Sequence, residues 1–119
     1  DKDGFIRLID RKKNMIITGG ENVYPTEVEA VLGQHPAVRD VAVVGTPDPK
    51  WGERVEAAVV LAEGASATAE ALVEWCRDKL AGFKRPRAIT FLEPGEMPRN
   101  TTGKILHRVL RDMLAARRR

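Results

Sequence analysis

The sequence predicts a small α+β domain, in which an N-terminal β-hairpin precedes a three-stranded sheet flanked by helices. Two observations predict it. Short runs rich in β-branched residues alternate with longer segments whose apolar residues recur every three or four positions. Their order along the chain is ββαββαβα, which mixes hairpins with helical crossovers and favours helices packed on a sheet. At 119 residues the chain has the length of one domain, so we treat 1–119 as a single unit.

The hairpin is predicted from the two apolar runs nearest the N-terminus. These runs are "FIRLID" (5–10) and "MII" (15–17), and polar residues separate them. "TGGENVYP" (18–25) follows and predicts a loop, because two adjacent glycines allow backbone geometry that other residues forbid.

The middle of the chain predicts a helix and two strands. In "TEVEAVLGQHP" (26–36) apolar residues recur at helical spacing, and Thr26 and Glu29 have the spacing of a capping box. The β-branched runs 38–47 and 54–62 predict strands.

The last half predicts two helices around a short strand. Thr68 is expected to cap a helix that extends to about residue 80, and "AITFL" (88–92) predicts the third strand of the sheet. Residues 93–103 predict an irregular, flexible loop. The last helix is expected from about Ile105, with its apolar residues on one face.

Composition indicates a cytoplasmic globular protein. The longest apolar run, 57–62, is far shorter than the roughly 20 residues that cross a bilayer, so no membrane span is expected. No secretory signal is visible at the N-terminus, which also lacks an initiator Met; this suggests a fragment of a longer protein. The single cysteine, Cys76, excludes an internal disulfide, fits a reducing compartment and lies in the apolar register of its helix.

Charge is concentrated at the C-terminal end. Residues 84–119 hold ten Lys/Arg against three Asp/Glu, a net +7, which leaves −4 for the rest because the whole chain sums to +3. The aromatic residues that would interleave with cations on a nucleic-acid surface are missing, so no nucleic-acid partner is expected. Binding of a compact polyanion such as a nucleotide phosphate and a solvated basic face both remain open.

Lys104 is the first candidate for chemistry. "TTGK" (101–104) resembles part of a phosphate-binding loop, but the glycine spacing and the following Ile105 exclude a Walker A motif. An ammonium group delivered by a Thr-rich loop near a helix N-terminus is suited to a phosphate, whereas a surface lysine is the alternative.

The glycine pair and the histidines are less specific. Gly19 and Gly20 can form a tight turn or lie against a ligand. His35 and His107 are isolated in the sequence, and no His/Cys/Asp cluster has metal-ligand spacing, so no metal site is expected.

Four motifs in order make the prediction specific. They are "DRKKNMIITGGENVYPTEVEAVL" (10–32), "WGERV" (51–55), "FKRPRAI" (83–89) and "PRNTTGKI" (98–105). Together they closely resemble the C-terminal domain of adenylate-forming enzymes, and the acyl-CoA synthetase branch is the best match. The resemblance extends over essentially the whole chain.

The resemblance implies an AMP-forming acid–thiol ligase. Such enzymes use ATP, with Mg2+ on the nucleotide, to convert a carboxylic acid to an acyl-adenylate, and then transfer the acyl group to CoA. The partner of this domain would be a large N-terminal domain that binds the acid and most of the nucleotide. The small domain would bind no cofactor tightly, would rotate between two poses, and would be inactive alone.

The resemblance also implies roles for individual residues. Lys104 matches the adenylation lysine, which bridges the carboxylate and the phosphates. Arg11 matches an arginine that reaches the nucleotide, and Lys13 aligns with the hinge of rotation.

Seven residues match positions expected to contact CoA. Gly19, Gly20 and Glu21 match the loop that lines the pantetheine tunnel. Trp51, Phe83, Arg85 and Arg87 fall where some relatives contact the CoA nucleotide, although Trp51 and Phe83 could equally be half-buried packing residues.

Two alternatives stay open. The acceptor could be the phosphopantetheine of a carrier protein, or the enzyme could be luciferase-like. An alternative of another class is a non-catalytic anion-binding or interaction module, suggested by the basic C-terminal third.

Overall fold

The computed structural model describes residues 15–117 and confirms the α+β class. Two single 3-10 turns accompany five strands and three helices within that range. The strands and helices are β1 (Ile16–Thr18), β2 (Glu21–Val23), α1 (Pro25–Gly33), β3 (Val38–Asp48), β4 (Gly52–Leu61), α2 (Ala69–Cys76), β5 (Ala88–Phe91) and α3 (His107–Arg117).

The strands form one sheet with β4 at its centre. β3 pairs antiparallel with β4 along nearly its whole length, and β5 pairs with β4 in parallel. β1 joins β4 through the single pair Thr18–Gly52 and pairs antiparallel with β2. β3, β4 and β5 are the three predicted strands, and the β1–β2 hairpin extends them to a five-stranded sheet.

The position of the hairpin differs from the prediction. Residues 18–25 were expected to be a loop, but they contain a two-residue turn and β2. Three residues of mixed polarity are too short to produce the alternation by which a strand is recognised. The predicted first strand, residues 5–10, lies outside the described residues.

Two apolar cores form on opposite faces of the sheet, because successive side chains of a strand point to opposite sides. One core packs α1 and α2 against β3 and β4, and it includes Leu32, Leu72 and the buried Cys76. The other packs α3 through Leu110 and Leu114. Full burial of each such leucine contributes about 1.5–3 kcal/mol. Cys76 is a core residue as predicted, and its burial raises the pKa of the thiol.

The ends of the helices correct two expectations. Thr68 caps α2 as predicted, accepting from the Ala71 N–H at 3.1 Å. The Thr26–Glu29 capping box is wrong: α1 begins at Pro25 after Tyr24, with no side-chain cap, and Glu29 points to other partners. α3 begins at His107 because Ile105 pairs with Arg99 in a β-bridge.

Within residues 15–117, the helices are too short or too polar to cross a membrane.

Candidate functional site

Lys104 lies on a tight turn that the Arg99–Ile105 β-bridge closes, just before α3. We call residues 98–106 the Lys104 hairpin. The Asn100 carboxamide oxygen accepts three hydrogen bonds, from the Thr102 N–H (3.0 Å), the Thr102 hydroxyl (2.7 Å) and the Lys104 N–H (3.0 Å). Gly103 has φ +87°, a conformation that glycine adopts without steric cost. The expected irregular loop is therefore a closed, hydrogen-bonded hairpin at its tip.

The hydrogen bonds of the hairpin leave the Lys104 side chain exposed. The Lys104 carbonyl accepts from the Asn100 N–H at 2.9 Å, so both backbone groups of this residue are used inside the turn. Its ammonium group makes no hydrogen bond or ion pair within residues 15–117. The turn thus presents a cation that is available to an external anion.

The Gly19–Gly20 turn is the second candidate feature. Its φ values of +58° and +84° are those of a type I′ turn, which connects two twisted strands with only two residues. A Cβ on Gly19 would lie 2.8 Å from the Trp51 ring, whereas a Cβ on Gly20 would meet no atom within 4 Å. Gly19 is therefore packed under Trp51, and Gly20 and Glu21 face open space.

Trp51 is held between the glycine turn and two cations. Its carbonyl accepts from the Gly19 N–H at 2.9 Å. The Arg87 guanidinium lies 4.7 Å and the Lys50 ammonium 4.9 Å from the ring centroid. The structure therefore brings together three of the predicted residues: Gly19, Trp51 and Arg87.

Asp48 fixes the loop that carries Trp51. Its carboxylate accepts from the N–H groups of Trp51 (2.9 Å) and Lys50 (2.8 Å) and forms a 3.0 Å ion pair with Arg54. The Trp51 N–H first, and then the Lys50 N–H and the Arg54 and Arg87 guanidinium groups, hold the pKa of this carboxyl below its usual value. No local pattern in the sequence distinguishes Asp48 from other surface carboxylates.

Phe83 and Arg85 have different environments. The 3-10 turn Gly82–Lys84 packs against β2, and the Phe83 ring is 36% exposed beside the Lys84 ammonium. Arg85 instead donates to the carbonyls of Leu80 (3.1 Å) and Arg77 (2.6 Å) after the end of α2. Phe83 therefore remains accessible near the β1–β2 hairpin. The Arg85 guanidinium instead binds carbonyl groups at the C-terminal end of α2.

His107 is not isolated. Its Nε2 lies 2.6 Å from Glu29 Oε2, and the hydrogen bond to that carboxylate, the largest contribution, raises the pKa of His107. Burial and the nearby Lys104 ammonium act in the opposite direction. A separation of 78 residues hides this pair from any local pattern.

Arg11 and Lys13 lie outside the described residues. Among residues 15–117, no three His, Cys, Asp or Glu side chains are grouped so that they could hold a metal ion.

Comparison with known proteins identifies the class. The family of AMP-binding enzyme C-terminal domains matches residues 27–104, and this chain belongs to that family. The chain is 47% identical over 116 residues to the long-chain-fatty-acid–CoA ligase FadD13 of Mycobacterium tuberculosis, covering 98% of this chain and 22% of the relative.

Two solved structures have the same fold. A fatty acyl CoA synthetase of Mycobacterium tuberculosis superposes with a TM-score of 0.82 at 48% identity, over 88% of this chain and 20% of the other. The o-succinylbenzoate CoA synthetase MenE of Bacillus subtilis, in complex with its acyl-adenylate intermediate, gives 0.78 at 40% identity, over 85% and 20%. The chain thus spans about a fifth of the length of the relatives it matches.

Proposed function

We propose that this chain is the C-terminal domain of an AMP-forming acid–CoA ligase and that Lys104 is its adenylation lysine. The observation that carries the proposal is the Lys104 hairpin. Asn100 closes its backbone, and the ammonium is left exposed without an ion pair in residues 15–117. An exposed cation on a closed backbone turn is suited to a site supplied by another domain.

In the first half-reaction, a carboxylate oxygen of the acid attacks the α-phosphorus of ATP. The bond from this phosphorus to the oxygen that bridges the α- and β-phosphates breaks, and the acyl-adenylate and pyrophosphate form. Lys104 would contact the carboxylate and the phosphates and stabilise the negative charge that increases at phosphorus. Mg2+ on the nucleotide would reduce the charge of the phosphates. This chain's described residues offer it no cluster of carboxylates, so we assign its ligands to the large domain.

In the second half-reaction, the sulfur of CoA attacks the acyl carbon and AMP leaves. Gly19, Gly20 and Glu21 would line the path of the thiol. The missing side chain of Gly20 leaves the space beside the turn open, whereas Gly19 packs against Trp51. Trp51, Phe83 and Arg87 would contact the CoA nucleotide through ring stacking and phosphate pairing. The environment of Arg85 supports a smaller part for it, because two backbone carbonyls already accept from its guanidinium.

The two features would be used in different poses of the domain. The Lys104 hairpin is tied to β3 and α1, whereas the glycine turn is tied to the Trp51 loop. Rotation about Lys13 would bring each to the active site in turn, and Arg11 would contact the nucleotide. The acid and the large N-terminal domain are the partners that this proposal requires.

The test separates the two half-reactions in the complete two-domain enzyme. Because Lys104 supplies charge only to adenylation, Lys104→Ala is expected to lower acid-dependent ATP–pyrophosphate exchange by about 10²–10³-fold. Thioester formation from a supplied acyl-adenylate should be largely retained. Lys79→Ala is the matched control, since it removes an ammonium that lies over Trp75 on α2, and both half-reactions should survive it.

Equal loss of both half-reactions in Lys104→Ala would overturn the assignment. Offering CoA and a phosphopantetheinylated carrier protein as alternative acceptors tests the acceptor separately, and transfer to the carrier alone would contradict the CoA proposal.

A further inference from the structure

Two side-chain contacts link the Lys104 hairpin, and the residue that directly follows it, to other elements. On the incoming side, Arg99 forms an ion pair with Asp40 of β3 and also donates to the Gly103 carbonyl at 2.7 Å. On the outgoing side, His107 contacts Glu29 of α1. The packing of Ile105 against the core under α3 anchors the hairpin, and these two polar contacts constrain the direction in which it presents Lys104.

The Glu29–His107 contact crosses the outer edge of β3. α1 and α3 pack on opposite faces of the sheet, so a bond between them has to pass around this edge. The same oxygen, Glu29 Oε2, also accepts from the Val43 N–H at 2.9 Å. One carboxylate oxygen thus links α1, β3 and the first residue of α3.

The surroundings of His107 are mixed in charge. A groove of about 470 Å3 beside Val43, Val44 and Gly45 is lined by His107, Arg108, Arg111 and Glu53. Arg111 lies 3.5 Å from Glu53, which leaves Glu29 as the carboxylate in direct contact with the imidazole. The charged groups facing His107 are therefore Glu29 from α1, Glu53 from β4, Arg108 and Arg111 from α3, and Lys104 from the hairpin.

We propose that Glu29 and His107 are positioning residues for Lys104, and that protonated His107 holds the Lys104 hairpin in the geometry that adenylation needs. This inference rests on the proposed function of Lys104. Neither residue would touch the reacting atoms; both would act through the junction at which the Lys104 hairpin ends and α3 begins. The imidazolium form gives a charge-assisted hydrogen bond, which is roughly twice as strong as the neutral one.

The proposal has a defined pH dependence. Because Glu29 raises the pKa of His107 above 6.5, the charged contact is complete below pH 6.5 and is lost as the pH rises through the raised pKa. The rate of adenylation should therefore fall as the pH rises above the raised pKa of His107, whereas the rate of the thioester step should not respond to this group.

The test uses the complete two-domain enzyme and measures both half-reactions. Glu29→Gln and His107→Gln should each lower ATP–pyrophosphate exchange by about tenfold below the raised pKa, with thioester formation from supplied acyl-adenylate unchanged. His107→Lys keeps a cation opposite Glu29 and cannot titrate near neutrality. His107→Lys should recover the adenylation activity that His107→Gln loses. The ratio of the wild-type adenylation rate to that of His107→Lys should fall as the pH rises.

Glu27→Gln is the matched control. Glu27 lies on the same helix and forms a 3.0 Å ion pair with Lys84, away from the Lys104 hairpin. It should leave adenylation unchanged. The retained thioester step shows that each variant is folded.

Wild-type adenylation in Glu29→Gln and His107→Gln would overturn the positioning proposal. Equal loss of both half-reactions, or the same loss in Glu27→Gln, would also overturn it. Lys104→Ala in the same experiment separates the two proposals. If it keeps adenylation, the proposed function fails; if it loses adenylation while Glu29→Gln does not, only the positioning proposal fails.

Discussion

The Lys104 hairpin and the Gly19–Gly20 turn both need glycine at positive φ, but different forces hold them. Side-chain hydrogen bonds and ion pairs close and anchor the hairpin, from Asn100 within it and from Asp40 and Glu29 outside it. The glycine turn is held by packing against the face of Trp51 and by one backbone hydrogen bond.

The difference follows from what each turn presents. The hairpin presents a charged side chain, and polar contacts can orient a charge without covering it. The glycine turn presents bare backbone at Gly20, beside which the space is open, and Trp51 can pack against the turn only if Gly19 carries no side chain. Substitutions in the Lys104 hairpin should therefore lower the rate of adenylation, and substitutions in the glycine turn should lower the rate of thioester formation.

The largest effect in this comparison is expected from Gly19→Ala. The new Cβ would meet Trp51 at 2.8 Å, and alanine at φ +58° is strained by about 1–2 kcal/mol. Overpacking adds about 1–3 kcal/mol or displaces the indole from Arg87. We expect a loss of thioester formation of more than about tenfold with adenylation retained, measured as separate half-reactions.

Gly64→Ala is the matched control for Gly19→Ala. It carries the same kind of backbone strain at φ +76°, its Cβ meets no atom within 4 Å, and it lies outside the proposed CoA path. A thioester defect as large as that of Gly19→Ala would mean that backbone strain alone, and not the contact with Trp51, causes the loss.

A smaller effect is expected from Asn100→Ala. The substitution removes the acceptor of three hydrogen bonds within the turn, each contributing about 0.5–1.5 kcal/mol. Because the turn is exposed, hydrogen bonds to water replace part of the lost stabilisation. Adenylation should fall by about tenfold while thioester formation is retained. Thr101→Ala, at the next position of the same turn, should have little effect on either rate. An Asn100→Ala enzyme with normal ATP–pyrophosphate exchange would show that the turn does not orient Lys104.

The sequence was sufficient for the elements with strong periodicity. β3, β4 and β5 were predicted close to their observed bounds, and Thr68 at the start of α2 was correct, because β-branched runs and capping residues are local signals. β2 was missed because three mixed residues carry no alternation. Its pairing is determined by the positive φ of Gly19 and Gly20.

The candidate site depended on resemblance and not on periodicity. Lys104 and the glycine pair matched motifs, but their supports came from contacts between residues distant in sequence. Arg99 and Asp40 are 59 residues apart, and His107 and Glu29 are 78 apart. Pairs of partly exposed polar residues at such separations leave no pattern in one sequence. The Thr26–Glu29 spacing predicted a local capping role for Glu29, whereas its carboxylate contacts His107 and the Val43 N–H instead.

The smallest effect is expected from Asp48→Asn, which tests whether the Trp51 region responds to pH as the hairpin should. The pKa of Asp48 is lowered from 3.8, so its contribution is present above that value and is lost only as the pH falls through the lowered folded pKa. Asparagine keeps an acceptor for the Lys50 and Trp51 N–H groups but loses the charge facing Arg54 and Arg87. The apparent KM for CoA should rise by about twofold to fivefold, and the factor should be the same at every pH from about 6 to 9.

Asp78→Asn, which removes a carboxylate 3.5 Å from Lys79 just after the end of α2, should leave this KM unchanged. Adenylation by the wild type should meanwhile weaken relative to His107→Lys over the same range. If the Asp48→Asn factor instead changed across this range, the Trp51 loop would be coupled to a group that titrates near neutrality, and the two turns would not be independently held.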